Sequence, residues 1–259
     1  MSDARDLAAW RRIRAGLALL VIVWGIHLVL TVVNRFAWES IASSFSTVDG
    51  DLARFDRMID LMSGVSAVAF TAVGVALAVV ASRLTRFPVL TREVKPGAPY
   101  RGSRDAGPAI DPGLDRLAVV LVAALGLMAA SRLASYVVPT LFPPAYVPGP
   151  SPRGINEAIR TLHIAAAAIA GVVFTLWASR AALVTARPHS SELLLASYLG
   201  LALRGGLALW GTLIRAGLGD PWWTRWVALA LEMFTTGVLI ALAFGVLEAV
   251  REQPRSQVG

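Results

Sequence analysis

The sequence predicts an all-α fold, a polytopic transmembrane helix bundle of six spans arranged as three helical hairpins, with both termini cytoplasmic. Three observations predict it. The chain is far more apolar than a soluble domain: of 259 residues, 56% are hydrophobic and 16% charged, with a mean hydropathy of +0.63, whereas soluble domains carry about 25% charged residues. It contains six apolar runs of the length, about 20 residues, that crosses a hydrocarbon core. Its basic residues, 23 Arg and one Lys, are shared unequally among the loops that those runs define.

The first run, Ile13–Asn34, follows Arg11, Arg12 and Arg14. Its apolar length exceeds that of a secretory signal core, and Asn34-Arg35-Phe36 offers no small-x-small cleavage site, so it reads as a retained anchor. The next runs are Met58–Ser82, Arg116–Val138 and Glu157–Val184. Glu192–Leu218 is the weakest, because Arg204 sits near its middle beside Gly205-Gly206, a pair that predicts a break. Trp223–Val250 completes the set. Residues 1–12 are then a cytoplasmic segment, 13–250 the membrane domain and 251–259 a cytoplasmic tail.

Orientation follows from the arginines, because cytoplasmic loops collect them. The side holding the termini carries 15 of the 24 basic residues, the other side 6, and Arg132, Arg204 and Arg215 fall within spans. Trp38, Tyr146, Trp222, Trp223 and Trp226 lie at the proposed outer interface, where amphipathic rings are favoured. A cysteine-free, arginine-rich chain of this kind is expected in a bacterial cytoplasmic membrane, its arginines reflecting codon usage and positive-inside bias. Nucleic-acid binding is not expected. Lipid and other membrane subunits, or further copies of the chain, are the expected partners.

The inner loop 83–115 is basic and rich in Pro and Gly, and reads as a flexible connector near anionic lipid. The outer loop Pro139–Ile155 carries six prolines and reads as extended and stiff. The outer loop Arg35–Arg57 reads as interfacial along Phe36, Ile41 and Phe45.

Small residues recur four apart on three spans. Gly74, Ala78 and Ser82 match Gly171, Thr175 and Ser179 at an offset of 97, and Gly237, Ala241 and Gly245 repeat the pattern. Such residues share one helix face and let helices approach closely in lipid. The expectation is that the even helices pack centrally on these faces.

Ionisable groups inside a span are costly and mark function. By distance from the span ends, His27, Arg132 and His163 fall in the outer third, Glu232 in the outer half and Arg204 near the middle. The inner half is nearly free of charge, which points to polar chemistry facing outward. Counting from the turn at Asp220-Pro221, Glu232 is expected to pair with Arg204. Arg204, Glu232, Arg132 and His27 are the candidate ligand- or ion-binding residues. His27 and His163 also stand at similar depth, and two neutral imidazoles on facing helices would ligate a haem b iron.

Catalytic constellations are missing from the sequence. There is no HExxH zinc site, no phosphate-binding G-x-x-x-x-G-K-[ST] loop and no G-x-S-x-G elbow. Asp49-Gly50-x-x-Ala53-Arg54 is similar to the opening of the CDP-alcohol phosphotransferase signature. However, Gly64 is one residue late, and Val68 and Ala72 stand where that family places metal-binding carboxylates. Without them there is no two-metal clamp. The sequence therefore points first to a non-enzymatic membrane protein, an oligomer or a subunit of a larger assembly. The alternatives are a small transporter or channel for an anionic or protonatable solute, and a b-type haem carrier.

Overall fold

The computed structural model describes residues 2–45, 52–85, 88–89, 109–110, 112–141, 152–185, 190–215 and 222–252. The described chain is almost entirely helical: α1 Ser2–Phe45, α2 Leu52–Ala81, α3 Pro112–Leu141, α4 Pro152–Thr185, α5 Ser190–Arg215 and α6 Trp222–Glu252. A single 3-10 turn, Ser82–Leu84, ends α2. Pro112 and Pro152 open their helices, at the position where a missing N–H is no loss and φ is already helical.

Every described contact between chain neighbours is antiparallel. Gly16 of α1 lies against Arg83 and Val80, while Asn34 at its other end accepts a hydrogen bond from Ser66 of α2. Between α2 and α3, Gly74 meets Ala129 and Gly64 meets Tyr136. Ser131 of α3 meets His163 of α4, Gly171 of α4 meets Leu201 of α5, and Gly200 of α5 meets Phe234 and Thr235 of α6. The first and last helices close the bundle. Arg14 donates from Nε and Nη2 to the Val250 carbonyl at 3.2 and 3.0 Å, and Phe36 packs on Trp226 at the opposite end. Helices α1, α2, α3, α4 and α6 thus form a closed ring, and α5 lies outside it against α4 and α6.

The chain is a multi-pass membrane protein by these measures. Five helices are long and apolar enough to cross a bilayer, and α5 contributes the shorter apolar stretch Leu194–Leu203. With 26 residues, α5 is about 39 Å long at 1.5 Å per residue, which is consistent with a sixth crossing. Arg14 meets the Val250 carbonyl, so the first and last helices meet at one end of the bundle, called inner below. α1 shows both solvents of a membrane helix. Ile13, Leu17, Leu20 and Trp24 are buried in the core, while Leu19, Ile22, Ile26, Val29 and Val33 face outward, as a helix apolar on all sides requires.

The core fills the inner half of the ring. Phe174 and Trp177 of α4 are fully buried and stack on each other, and Trp24 of α1 meets Phe174 edge-on at 4.8 Å. Leu77 and Val80 of α2, Leu121 and Leu125 of α3, and Leu242 and Val246 of α6 pack around them.

Several expectations are corrected. α1 runs well past Asn34 to Phe45, because its polar end satisfies itself: Arg35 pairs with Glu39, and Ser43 and Ser44 donate to the Ser40 carbonyl. Pro139 lies inside α3, not at the head of a loop, and the remaining loop residues 142–151 are outside the described residues. The helix α5 continues through Gly205-Gly206 without a break. Within the inner loop, Pro88–Val89 (β1) pairs antiparallel with Ala109–Ile110 (β2), which joins the two ends of the connector; residues 90–108 lie outside the described residues.

The three hairpins are present. Of the even helices, α4 and α6 pack on each other and each touches three helices, while α2 packs between α1 and α3. The small-residue faces also divide. A Cβ on Gly74 would stand 2.8 Å from the Ala129 Cβ and 3.1 Å from its Cα, and one on Gly171 would stand 2.7 Å from Leu201 Cδ2. Thr175 is fully buried and bonds Ser197 of α5. Gly237 and Gly245 meet nothing within 4 Å, so they make no close approach inside the fold. Ala78 packs against the core, and Ala241, Ser82 and Ser179 are half-buried.

Candidate functional site

Above the aromatic floor, on the outer side, the ring becomes polar. α1 contributes His27 and, one turn further out, Thr31. They stand four positions apart, so they share a face. α6 contributes Glu232, because α1 and α6 run antiparallel and their register is fixed at both ends. His27 Nε2 stands 3.5 Å from Glu232 Oε1. Both groups are partly shielded, with side chains 18% and 28% exposed, so the pair is neither fully buried nor free in water. His27 Nδ1 and Thr31 Oγ1 are buried without a hydrogen-bond partner.

α3 contributes Arg132. Its Cζ stands 5.0 Å from the centroid of Phe70 of α2, within the range of a cation–π contact. The same ring meets the His27 imidazole edge-on at 5.5 Å. Phe70 is thus the shared neighbour of Arg132 and His27. Among the described residues, no carboxylate lies within ion-pair distance of Arg132 and its guanidinium makes no hydrogen bond. Among the described residues, Glu232 and Arg160 are charged groups close enough to act on it electrostatically. A guanidinium offers five N–H donors in a planar fork, and at this depth an unpaired cation is costly.

α4 contributes His163, half-buried at the outer end of the α3–α4 contact. Its Nδ1 lies 3.1 Å from the Met128 carbonyl and 3.3 Å from Ser131 Oγ. The two histidines are therefore engaged with different neighbours, His27 with α6 and His163 with α3. Groups of three or more His, Asp and Glu side chains arranged to hold a metal do not occur among the described residues.

Three of the four predicted binding residues, His27, Arg132 and Glu232, come together. The fourth is placed by its backbone. Gly200 lies against Phe234 and Thr235, which sets Arg204, one turn further along α5, level with Glu232. The Arg204 side chain lies outside the described residues. Among the described residues Glu232 contacts His27. Phe70 and Thr31 were not singled out by sequence. An apolar ring and a threonine in a membrane span carry no signal, although Thr31 follows His27 by one helical turn.

At the outer rim, Arg35 lies 5.3 Å from the Trp226 ring centroid and pairs with Glu39. This is the pattern of an interfacial anchor.

Comparison of the chain with protein-family models, with curated proteins and with solved structures finds no match.

Proposed function

We propose that the chain is a small membrane transport protein, in the cytoplasmic membrane of a bacterium, that takes an anionic solute from the outer side at a site centred on Arg132. One observation carries the reading: a guanidinium within a membrane-spanning helix, on the outer side of an aromatic floor, whose donors have no acceptor among the described residues. Charged groups at such depth mark solute and ion pathways, and the planar fork of Arg suits oxyanions. Phe70 holds one face of the guanidinium by cation–π attraction, which orients it and leaves its N–H edge for a ligand. Trp24, Phe174 and Trp177 pack the inner half, which supports approach of the solute from the outer side.

The test is uptake of labelled nitrate and benzenesulfonate, two permanent anions, into proteoliposomes. Arg132→Ala is expected to abolish uptake and Arg132→Lys to recover only a fraction, since an ammonium lacks the fork. Uptake by Arg132→Ala equal to that of the unsubstituted protein would sink the proposal.

Assembly is a second reading, supported by α6. Gly237 and Gly245 have no neighbour within 4 Å inside the fold, which leaves a small-residue face for another membrane helix. Native mass spectrometry from mild detergent distinguishes a subunit, which carries partner mass or multiples of 27.5 kDa, from a monomer.

A further inference from the structure

Arg132 of α3 and the carboxylate of Glu232 on α6 both belong to the outer half of the ring. Arg132 and Glu232 carry opposite charges in the same part of the ring and act on each other electrostatically, yet they form no direct pair. Glu232 turns to His27 at 3.5 Å, and Arg132 stands over Phe70. Phe70 touches both His27 and Arg132. Glu232 thus serves Arg132 as a counter-charge at a distance, with an aromatic ring beside the gap.

We infer that proton binding at the His27–Glu232 pair is coupled to anion binding at Arg132, so that the solute enters with a proton. The inference rests on the anion reading above. Its logic is linkage. An anion seated on Arg132 places a second negative charge near the Glu232 carboxylate, and like charges favour the protonated form. By reciprocity, a proton on Glu232 or on His27 Nδ1 strengthens anion binding by the same factor. The balance is simple: one anion arrives, one proton from the outer water adds to a carboxylate oxygen or imidazole nitrogen, and the net charge of the site does not change. A site that keeps its charge constant avoids placing an excess charge within the bilayer, which is costly.

The other charged groups around Glu232 do not replace this pair. α1 adds Arg35 further out, already joined to Glu39. Between Ser66 and Phe70, α2 has no ionisable side chain. α4 adds His163, whose Nδ1 faces the Met128 carbonyl, and Arg160. α5 brings Arg204 level with Glu232, and α6 has Arg225 toward its outer end. His27 and Glu232 are in direct contact, Nε2 to Oε1 at 3.5 Å.

The experiment is titration calorimetry of nitrate and of benzenesulfonate into the full-length protein in detergent, in two buffers of different ionisation enthalpy, across the neutral pH range. Binding is expected to take up protons, and affinity to rise as pH falls, by up to about tenfold per pH unit for one linked proton. Glu232→Gln, which resembles the protonated carboxyl, is expected to bind tightly at every pH with the slope flattened. If that variant does not fold, the proton count on the unsubstituted protein and the reduced slope of His27→Gln carry the same test. PH-independent binding without proton uptake overturns the coupling and leaves the anion site standing. Absence of binding by either anion overturns both.

Discussion

At the scale of single residues, polar atoms inside a bilayer are expected to find partners, because lipid offers none. Thr175 shows the ordinary solution. Its hydroxyl lies 2.8 Å from the Gly171 carbonyl and 2.7 Å from Ser197 Oγ, with no exposure, and it joins the ring to α5. Thr175→Val keeps the shape and removes the hydroxyl. It is expected to cost about 0.5–1.5 kcal/mol, the span of single hydrogen bonds in water and in membranes. Thermal unfolding in detergent checks the direction, and a cycle with Ser197→Ala checks the partner: coupling indistinguishable from zero would mean that the two hydroxyls do not hold α5. His27 Nδ1 and Thr31 Oγ1, on successive turns of α1, are buried without a hydrogen-bond partner among the described residues, as is Arg35 Nε one turn further out.

At the scale of elements, the six apolar runs were legible because each carries its own signal, a length of apolar sequence with basic flanks. The ends were less so. α1 continues past Asn34 on the strength of local pairs, Arg35 with Glu39 and the serines with Ser40, which hydropathy does not register. The candidate site was legible as a set of residues, since His27, Arg132 and Glu232 stand out as charges in apolar spans. The contact between His27 and Glu232 was not. Counting from one hairpin turn compares only α5 with α6, whereas His27 reaches Glu232 because the first helix closes on the last, a contact far apart in sequence. The small-residue faces looked equivalent for the same reason: spacing says which residues share a face, but not what stands opposite.

The structure separates those faces, and the separation is testable. Gly171→Leu would drive a side chain into Leu201 on α5, and overpacking of this kind costs about 1–3 kcal/mol. It is expected to lower the unfolding temperature and loosen α5 from α4. Gly245→Leu meets open space and is expected to leave the monomer's stability unchanged within about 0.5 kcal/mol. Equal destabilisation by both would mean that α6 is packed differently. A loss of oligomer by Gly245→Leu alone would instead locate an assembly face there.

At the scale of the whole molecule, one asymmetry organises the rest. The ring is sealed at its inner half by Trp24, Phe174 and Trp177 and polar at its outer half, while Arg14 ties α1 to the Val250 carbonyl at the inner end. This arrangement has meaning only if the six helices cross together, with both termini at the end richer in arginine. The absence of cysteine makes that checkable without background labelling. Single cysteines at Ser103 and at Ser256 are expected to react with an impermeant maleimide only after the membrane is opened. A cysteine at Ala145, in the loop between α3 and α4, is expected to react in intact cells. If instead Ser256→Cys labels in intact cells while a cysteine at Ser2 does not, α5 fails to cross. The polar half of the ring would then still open toward the side that Ala145 reports, because α1 through α4 fix it, but α6 would run the wrong way to bring Glu232 to His27. The labelling pattern at the C-terminus is therefore also a test of the site: the pair at 3.5 Å requires an even number of crossings.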